Sequence, residues 1–187
     1  AQIVALAKEG DAIPAPIGGT FKSFATSIVP SISATGQVAF RATIANSVYN
    51  AAVFLAAPDG TLQDQVVAGQ SVGSETLVRL RDPLVADDGS VLVPASLPGG
   101  GSGLYVVRQR TPVLWLESTA LTTVGGGYRF ITGSARDRAE DVVVLGQREG
   151  VFLASPAAIA KVAILGEPTP LEGTYATFDA LGAGGSQ

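Results

Sequence analysis

A short unit, a polar turn followed at once by an alternating strand, returns in this chain at intervals close to fifty residues, and no other feature restricts the fold as much. Its clearest copy is Ser33-Ala34-Thr35-Gly36-Gln37-Val38-Ala39-Phe40. Side chains such as Ser33 and Thr35 bond their own backbone and Gly36 tolerates a positive φ, so the chain reverses there and enters residues 37–44 extended. Val38, Phe40 and Ala42 then fall on one face of the strand, and Gln37, Ala39, Arg41 and Thr43 on the other. Ala86-Asp87-Asp88-Gly89-Ser90-Val91-Leu92-Val93 repeats the design with Asp in the turn, and Asp137-Arg138-Ala139-Glu140-Asp141-Val142-Val143-Val144 is a degraded third copy. With Gly36, Gly89 and Glu140 as equivalents the spacings are 53 and 51, a period that belongs to solenoids, propellers and arrays.

The recurrence holds elsewhere in the unit. Ala52-Val53-Phe54-Leu55-Ala56 is echoed by Gly103-Leu104-Tyr105-Val106-Val107 and by Gly150-Val151-Phe152-Leu153-Ala154. A hydrophobic pair precedes each turn: Phe21 and Phe24, Leu77 and Leu80, Tyr128 and Ile131, and a fourth time Tyr175 and Phe178. Before each pair runs a Gly- or Pro-rich loop, at 9–20, 68–76, 117–127 and 166–174. The predicted fold is therefore all-β, made of β-propeller-like blades from repeats of about 50 residues. One repeat domain spans 1–187, with units near 1–63, 64–112 and 113–159 and a partial unit at 160–187, which is three and a half units and an incomplete or open arrangement. Residues 3–6 read as a short strand before the first loop. Residues 157–161 are helical by propensity, but the repeat register predicts hairpin and strand there. Elsewhere no 3.6-residue period stands out. Ser33, Gly36, Asp87, Gly89 and Asp137 are read as structural turn positions.

Composition excludes several classes of function. At 187 residues and 47% hydrophobic, a single core is sufficient. Twelve basic against 16 acidic residues leave a net charge of −4 with no basic run, so no nucleic-acid partner is expected. There is no Cys and no His, which removes disulfides, thiolate nucleophiles, imidazole bases and the usual zinc ligands. The apolar stretches are far too short for a membrane-crossing helix, so the chain is expected to have no transmembrane segment of its own. The lack of Met and the Ala1-Gln2 start suit signal-peptide cleavage, which predicts an exported protein, periplasmic, cell-surface or extracellular.

The units resemble the bacterial tandem repeats written NxxGxxAF. Residues 33–40 match the Gly, Ala and Phe of that pattern with Ser33 in place of Asn; the second copy keeps Gly89 and the third keeps none of the defining letters. The resemblance implies a propeller-like, exported and often surface-anchored protein, and it brings no catalytic residues with it.

With His and Cys absent, any chemistry must rest on carboxylates, Ser, Lys or Tyr. Asp87-Asp88 is an adjacent acidic pair that suggests a Ca²⁺ site or a glycosidase-like pair, but neighbours on a tight turn seldom converge on one substrate. Glu9, Asp11, Glu117 and Glu167 occupy equivalent loops and form a candidate ligand face for a cation or a polysaccharide. Trp115, alternating with Leu114 and Leu116, reads as a half-buried packing aromatic. The glycine runs 99–101 and 125–127 lack the following Lys-Ser or Lys-Thr of a phosphate loop. No catalytic residue, cofactor or metal site is predicted. The expectation is a non-enzymatic exported structural or interaction module. It would be an accessory or scaffold subunit whose unpaired terminal half-unit docks on a protein partner or on another copy. The alternatives are a carbohydrate- or cation-binding module and a carboxylate-dependent hydrolase.

Overall fold

The computed structural model describes residues 5–24, 29–118, 131–136, 142–146, 150–154, 158–170, 172–176 and 178. Its strands are β1 (Thr20–Ser23), β2 (Ser31–Ile32), β3 (Val38–Ala45), β4 (Ala51–Ala56), β5 (Leu62–Val67), β6 (Ser71–Val72), β7 (Glu75–Thr76), β8 (Arg79–Leu80), β9 (Leu84–Val85), β10 (Val91–Ser96), β11 (Ser102–Arg108), β12 (Thr111–Glu117), β13 (Ile131–Arg136), β14 (Val142–Gly146), β15 (Gly150–Ala154) and β16 (Ile159–Ile164). Among the described residues the helical content is a 3-10 turn at Pro98–Gly100 and the 3-10 conformation of Ser118, so the protein is all-β.

The strands form three antiparallel blades in succession. In the first, β3, β4 and β5 follow one another, and the place beside β3 is shared: β1 pairs with its far end and β2 with its near end. The second repeats this arrangement, with β8 and β9 sharing the edge of β10 ahead of β11 and β12. The third runs β13-β14-β15-β16. The three echoed segments that contain Phe54, Tyr105 and Phe152 are the third strands β4, β11 and β15.

The repeat also shows in its backbone hydrogen bonds. Ser33 N–H donates to the Gln37 carbonyl at 2.9 Å and Gly36 N–H to the Ser33 carbonyl at 3.0 Å; Ala86 to Ser90 and Gly89 to Ala86 repeat both at 2.9 and 3.0 Å. Gly36 and Gly89 share a φ of +80°, the left-handed conformation that explains glycine at this place in the turn. The loops ahead of the first and second blades, and the one after β16, are small hairpins with a shared signature. Gly10 donates to the Phe21 carbonyl, Gly69 to Leu77 and Gly166 to Tyr175, at 2.8, 2.7 and 2.8 Å, and Phe21, Leu77 and Tyr175 donate back to residues 11, 70 and 167, each at 3.0 Å. The hairpin after β16 is thus the counterpart of those before β1 and β8. The unit edges at 63/64, 112/113 and 159/160 fall inside β5, β12 and β16, because a repeat period marks a phase and the fourth strand of a blade straddles it.

Some local expectations differ from what the structure holds. Residues 5 and 6 are not in a strand, and the rest of the segment 3–6 lies outside the described residues, as does Asp137. The connection between β10 and β11 is short, since Ser102 and Gly103 already belong to β11 and are buried. A Cβ on Gly103 would come within 2.8 Å of the Tyr105 ring, which explains a glycine inside that strand.

Both faces of the first blade are packed. On one face Phe21, Phe40 and Phe54 cluster, with ring centroids 5.0 Å apart for Phe21 and Phe54 and 5.6 Å for Phe40 and Phe54, and Ile13, Ile17, Ala42 and Ile44 surround them. On the other, Ala39, Val53 and Val66 meet Leu77, Leu80, Val85, Val91, Val93, Tyr105 and Val107, so this second cluster is shared with the second blade. Leu92, Leu104 and Leu116 of the second blade likewise meet Phe152 and Ala154 of the third, with Trp115 packed at the margin. Each large side chain buried in this way contributes about 1.5–3 kcal/mol of transfer free energy. The blades therefore stack face against face, and stacking leaves clefts wherever the facing side chains turn polar.

Candidate functional site

The face of the first blade that meets the second is apolar at Ala39, where β3 begins. Alternation carries the same face on to Arg41 and Thr43. Beside them on β1, Phe21 is buried in the aromatic cluster, so Lys22 projects from the opposite face, toward the second blade. The second blade supplies Val78, Arg79 and Leu80 across the gap. These residues enclose a cleft of about 410 Å³ with three kinds of lining: the cations Lys22, Arg41 and Arg79, the polar Ser23, Thr43 and Asn50, and an apolar remainder that includes Ile44, Ala51, Ala68 and Leu80. The Thr43 hydroxyl donates to the Ser23 carbonyl at 3.2 Å, so the 2.7 Å contact between the two hydroxyls is donated by Ser23. Those two groups satisfy each other, and the charges stand out.

Three cations line the cleft, and a fourth, Arg81, lies close enough to Arg41 and Arg79 to feel their charge, with one carboxylate nearby. Arg41 Nη2 lies 3.5 Å from Asp82 Oδ1, and the other Asp82 oxygen accepts the Val29 N–H at 3.4 Å, so both oxygens of this second-blade carboxylate are engaged by the first blade. Among the described residues Lys22, Arg79 and Arg81 have no carboxylate within ion-pair distance. The Nε atoms of Arg41 and Arg81 are buried and meet no hydrogen-bond partner among the described residues. Burial, followed by the positive charges of Arg79 and Arg41, holds the Arg81 guanidinium below its ordinary pKa, with Asp82 pulling the other way. Such a cluster is held together by the backbone against its own repulsion, and an anion would relieve it.

A second cleft, of about 420 Å³, lies between the outer side of the first blade and the turn joining β11 to β12, with Tyr49, Asp64, Gln70 and Arg110 on its walls. There the charges are already matched, Arg110 Nη2 to Asp64 Oδ2 at 2.7 Å. Gln109 and Arg110 hold this turn at φ +48° and +67°, which makes it a two-residue hairpin turn formed without glycine.

The residues singled out from sequence have mostly local tasks. Asp11 Oδ2 accepts the Lys8 N–H at 2.8 Å, and Gln70, its counterpart, accepts the Val67 N–H at 3.3 Å, so each closes its own hairpin. Glu167 pairs with Lys161 at 2.6 Å, Glu9 is exposed in its loop, and Glu117 is exposed at the end of β12. Among the described residues no three acidic side chains gather as a metal ion would require. Ser33, Gly36 and Gly89 form the turns described above. Asp87 Oδ1 reaches across to the Ala34 N–H at 2.7 Å and ties the equivalent turns of two blades together, while Asp88 Oδ1 accepts from the N–H and hydroxyl of Ser90 at 2.8 and 2.6 Å. The adjacent acidic pair therefore divides into one contact between blades and one local turn. The cationic cleft was not anticipated from sequence. The one hint of it in the sequence is that Arg79 and Arg81 lie close together in the chain.

No known protein family and no curated protein matches this sequence. Among solved structures, the chain is similar to an X-ray structure of a protein provisionally assigned as a gluconolactonase, with 13% identity and a TM-score of 0.44 over 76% of this chain and 46% of that one. The chain thus spans about half the length of that neighbour, and the likeness assigns no activity and no residue here. The expectation of a non-enzymatic scaffold subunit, docking or self-associating through an unpaired repeat edge, is corrected by the hairpin after β16. Its Pro168 and Thr174 bridge each other, so the described residues there pair among themselves rather than presenting an open strand edge. Among the described residues no helix is long and apolar enough to cross a membrane.

Proposed function

We propose that the protein binds a small anion in the cleft between its first two blades. The observation that carries this reading is the convergence of Lys22, Arg41 and Arg79 on the cleft, with Arg81 within reach of their charge, Asp82 as counter-charge, and the Arg41 and Arg81 Nε atoms unpartnered among the described residues. A cavity of about 410 Å³ lies within the range small-molecule sites occupy, and its mixture of apolar wall and a few convergent polar groups is the usual composition of such sites. The reading is one of binding, and no reaction is assigned to the cleft.

Calorimetric titration with inorganic phosphate and with benzoate at low ionic strength tests it. Binding is expected to weaken as salt is added, because part of the attraction is screened. Arg41→Gln is expected to lower affinity about tenfold, the worth of one charge-assisted hydrogen bond, while Lys161→Gln, remote from the cleft, leaves it unchanged. Absence of heat with both anions, or equal affinity in the Arg41 variant, overturns the proposal.

We also propose export and kinship with the NxxGxxAF repeats, supported by the residues of 33–40 and the matching turns at Gly36 and Gly89. Fractionation of cells carrying the full gene tests the first: recovery in the cytoplasm alone would rule it out.

A further inference from the structure

Resting on the anion-binding reading, we infer that the ligand of the cleft is a phosphate monoester, a dianionic head on an apolar body. The head follows from charge and donor geometry. Three cations line the cleft, a fourth, Arg81, lies within reach of their charge, and the nearby Asp82 carboxylate has both oxygens already engaged, so a single negative charge leaves the cluster strongly positive and a double one relieves more of the repulsion. The donors also approach from two walls, Lys22 and Arg41 from the first blade and Arg79 from the second. A planar carboxylate suits one guanidinium fork, whereas a phosphoryl group presents three terminal oxygens and can meet donors on both sides. The body follows from the rest of the lining. The side chains of Ala51, Ala68 and Val78 offer no hydrogen bond, Ser23 and Thr43 are bonded to each other, and Asn50 is the one further neutral polar residue of the lining. A hydroxyl-rich body would leave most of its polar groups unpaired against this wall, which is costly.

Titration calorimetry with four probes separates these elements: phenyl phosphate, phenyl sulfate of the same shape and a single charge, inorganic phosphate without the ring, and benzoate. At pH 7.5 phenyl phosphate is expected to bind at least tenfold more tightly than phenyl sulfate and than inorganic phosphate. On going to pH 5 the phosphate takes up its second proton, whose pKa is about 6. Its affinity then falls to that of phenyl sulfate, which itself does not change. The chain contains no His, the side chain that ordinarily titrates in this interval; the charged groups lining the cleft are Lys22, Arg41 and Arg79, with Arg81 and Asp82 beside them. Arg79→Gln, a change at an exposed strand residue, is expected to remove most of the preference for phosphate over sulfate; circular dichroism of that variant checks that it is folded.

Equal affinities for phenyl phosphate and phenyl sulfate overturn the dianionic head and leave the anion cleft standing. Equal affinities for phenyl and inorganic phosphate overturn the apolar body. If none of the four binds, the anion-binding reading itself fails and this inference fails with it.

Discussion

Gly19 and Gly10 both hold the left-handed conformation, at φ +81° and +88°, but in different surroundings. A Cβ on Gly10 would stand in open space, whereas on Gly19 it would overlap the Ala45 carbonyl. Gly10→Ala is therefore expected to cost about 1 kcal/mol, the backbone term alone. Gly19→Ala is expected to cost about 3 kcal/mol or more, since backbone must move as well. Denaturant unfolding of the two variants side by side checks the difference, and equal losses would show that the clash is relieved at no cost. Tyr105 supplies a second case. Its side chain is buried with the hydroxyl unpartnered among the described residues, and burial, aided by the charges of Glu75 and Glu117, raises its pKa. The folded state then keeps a proton that the unfolded chain gives up, so this contribution is complete below about pH 10 and is lost as pH rises further. Tyr105→Phe keeps the ring and removes a hydroxyl that has no partner. At neutral pH its stability is expected to match or exceed that of the parent, and above pH 10 to decline less, as unfolding curves between pH 8 and 11 would show.

Among the elements, the turns before β3 and β10 bind two blades through one side chain, the Asp87 carboxylate on the Ala34 N–H. Asp87→Ala leaves the local turn of Ser90 on Asp88 intact and removes this cross-blade contact. The expected loss is about 1 kcal/mol, that of one hydrogen bond with a charged acceptor at an exposed site. The exposed pair Lys161–Glu167 is the comparison: Lys161→Gln is expected to cost no more than about 0.5 kcal/mol, as most surface ion pairs do. Should the two changes cost the same in chemical denaturation, the blade-to-blade turn contact would have no special part in stacking. The backbone that Asp87 engages is that of Ala34, the second residue of the turn; at the first position Ser33 accepts the Gln37 N–H through its hydroxyl, a bond for which Ala86 in the second copy has no group.

For the whole molecule, stability resides in clusters that alternate along the stack, one within the first blade, one shared by the first and second, one shared by the second and third. Such an array couples each blade to its neighbours. Phe54, fully buried among Phe21 and Phe40, is the centre of the first cluster. Phe54→Ala is expected to cost about 3–5 kcal/mol. Hydrogen exchange should show protection lost first in β3, β4 and β5 and least affected in β15 and β16. Uniform loss in all three blades would mean that the stack unfolds as one unit. The cationic cleft also belongs to this scale, since it exists only where one blade faces the next, and any change that loosens stacking is expected to weaken anion binding along with stability.

What could be read in the residues alone was whatever depends on near neighbours. Turn chemistry at Gly36 and Gly89, the alternation of Val38, Phe40 and Ala42, and the hydrophobic pairs before each blade are local preferences, and together they determined an all-β repeat with its period. Local preference also suggested an acidic loop face at Asp11 and Glu167, and the structure shows those side chains serving the hairpin or the strand beside them. The cleft was beyond that reach. Lys22, Arg41, Arg79 and Arg81 are dispersed along the chain, and each on its own reads as one solvated charge on a strand. Pairing of β1 with β3 brings the first two together, and stacking of the second blade against that face brings the others. Charge attracts or repels according to distance in space, and tertiary structure alone decides that distance.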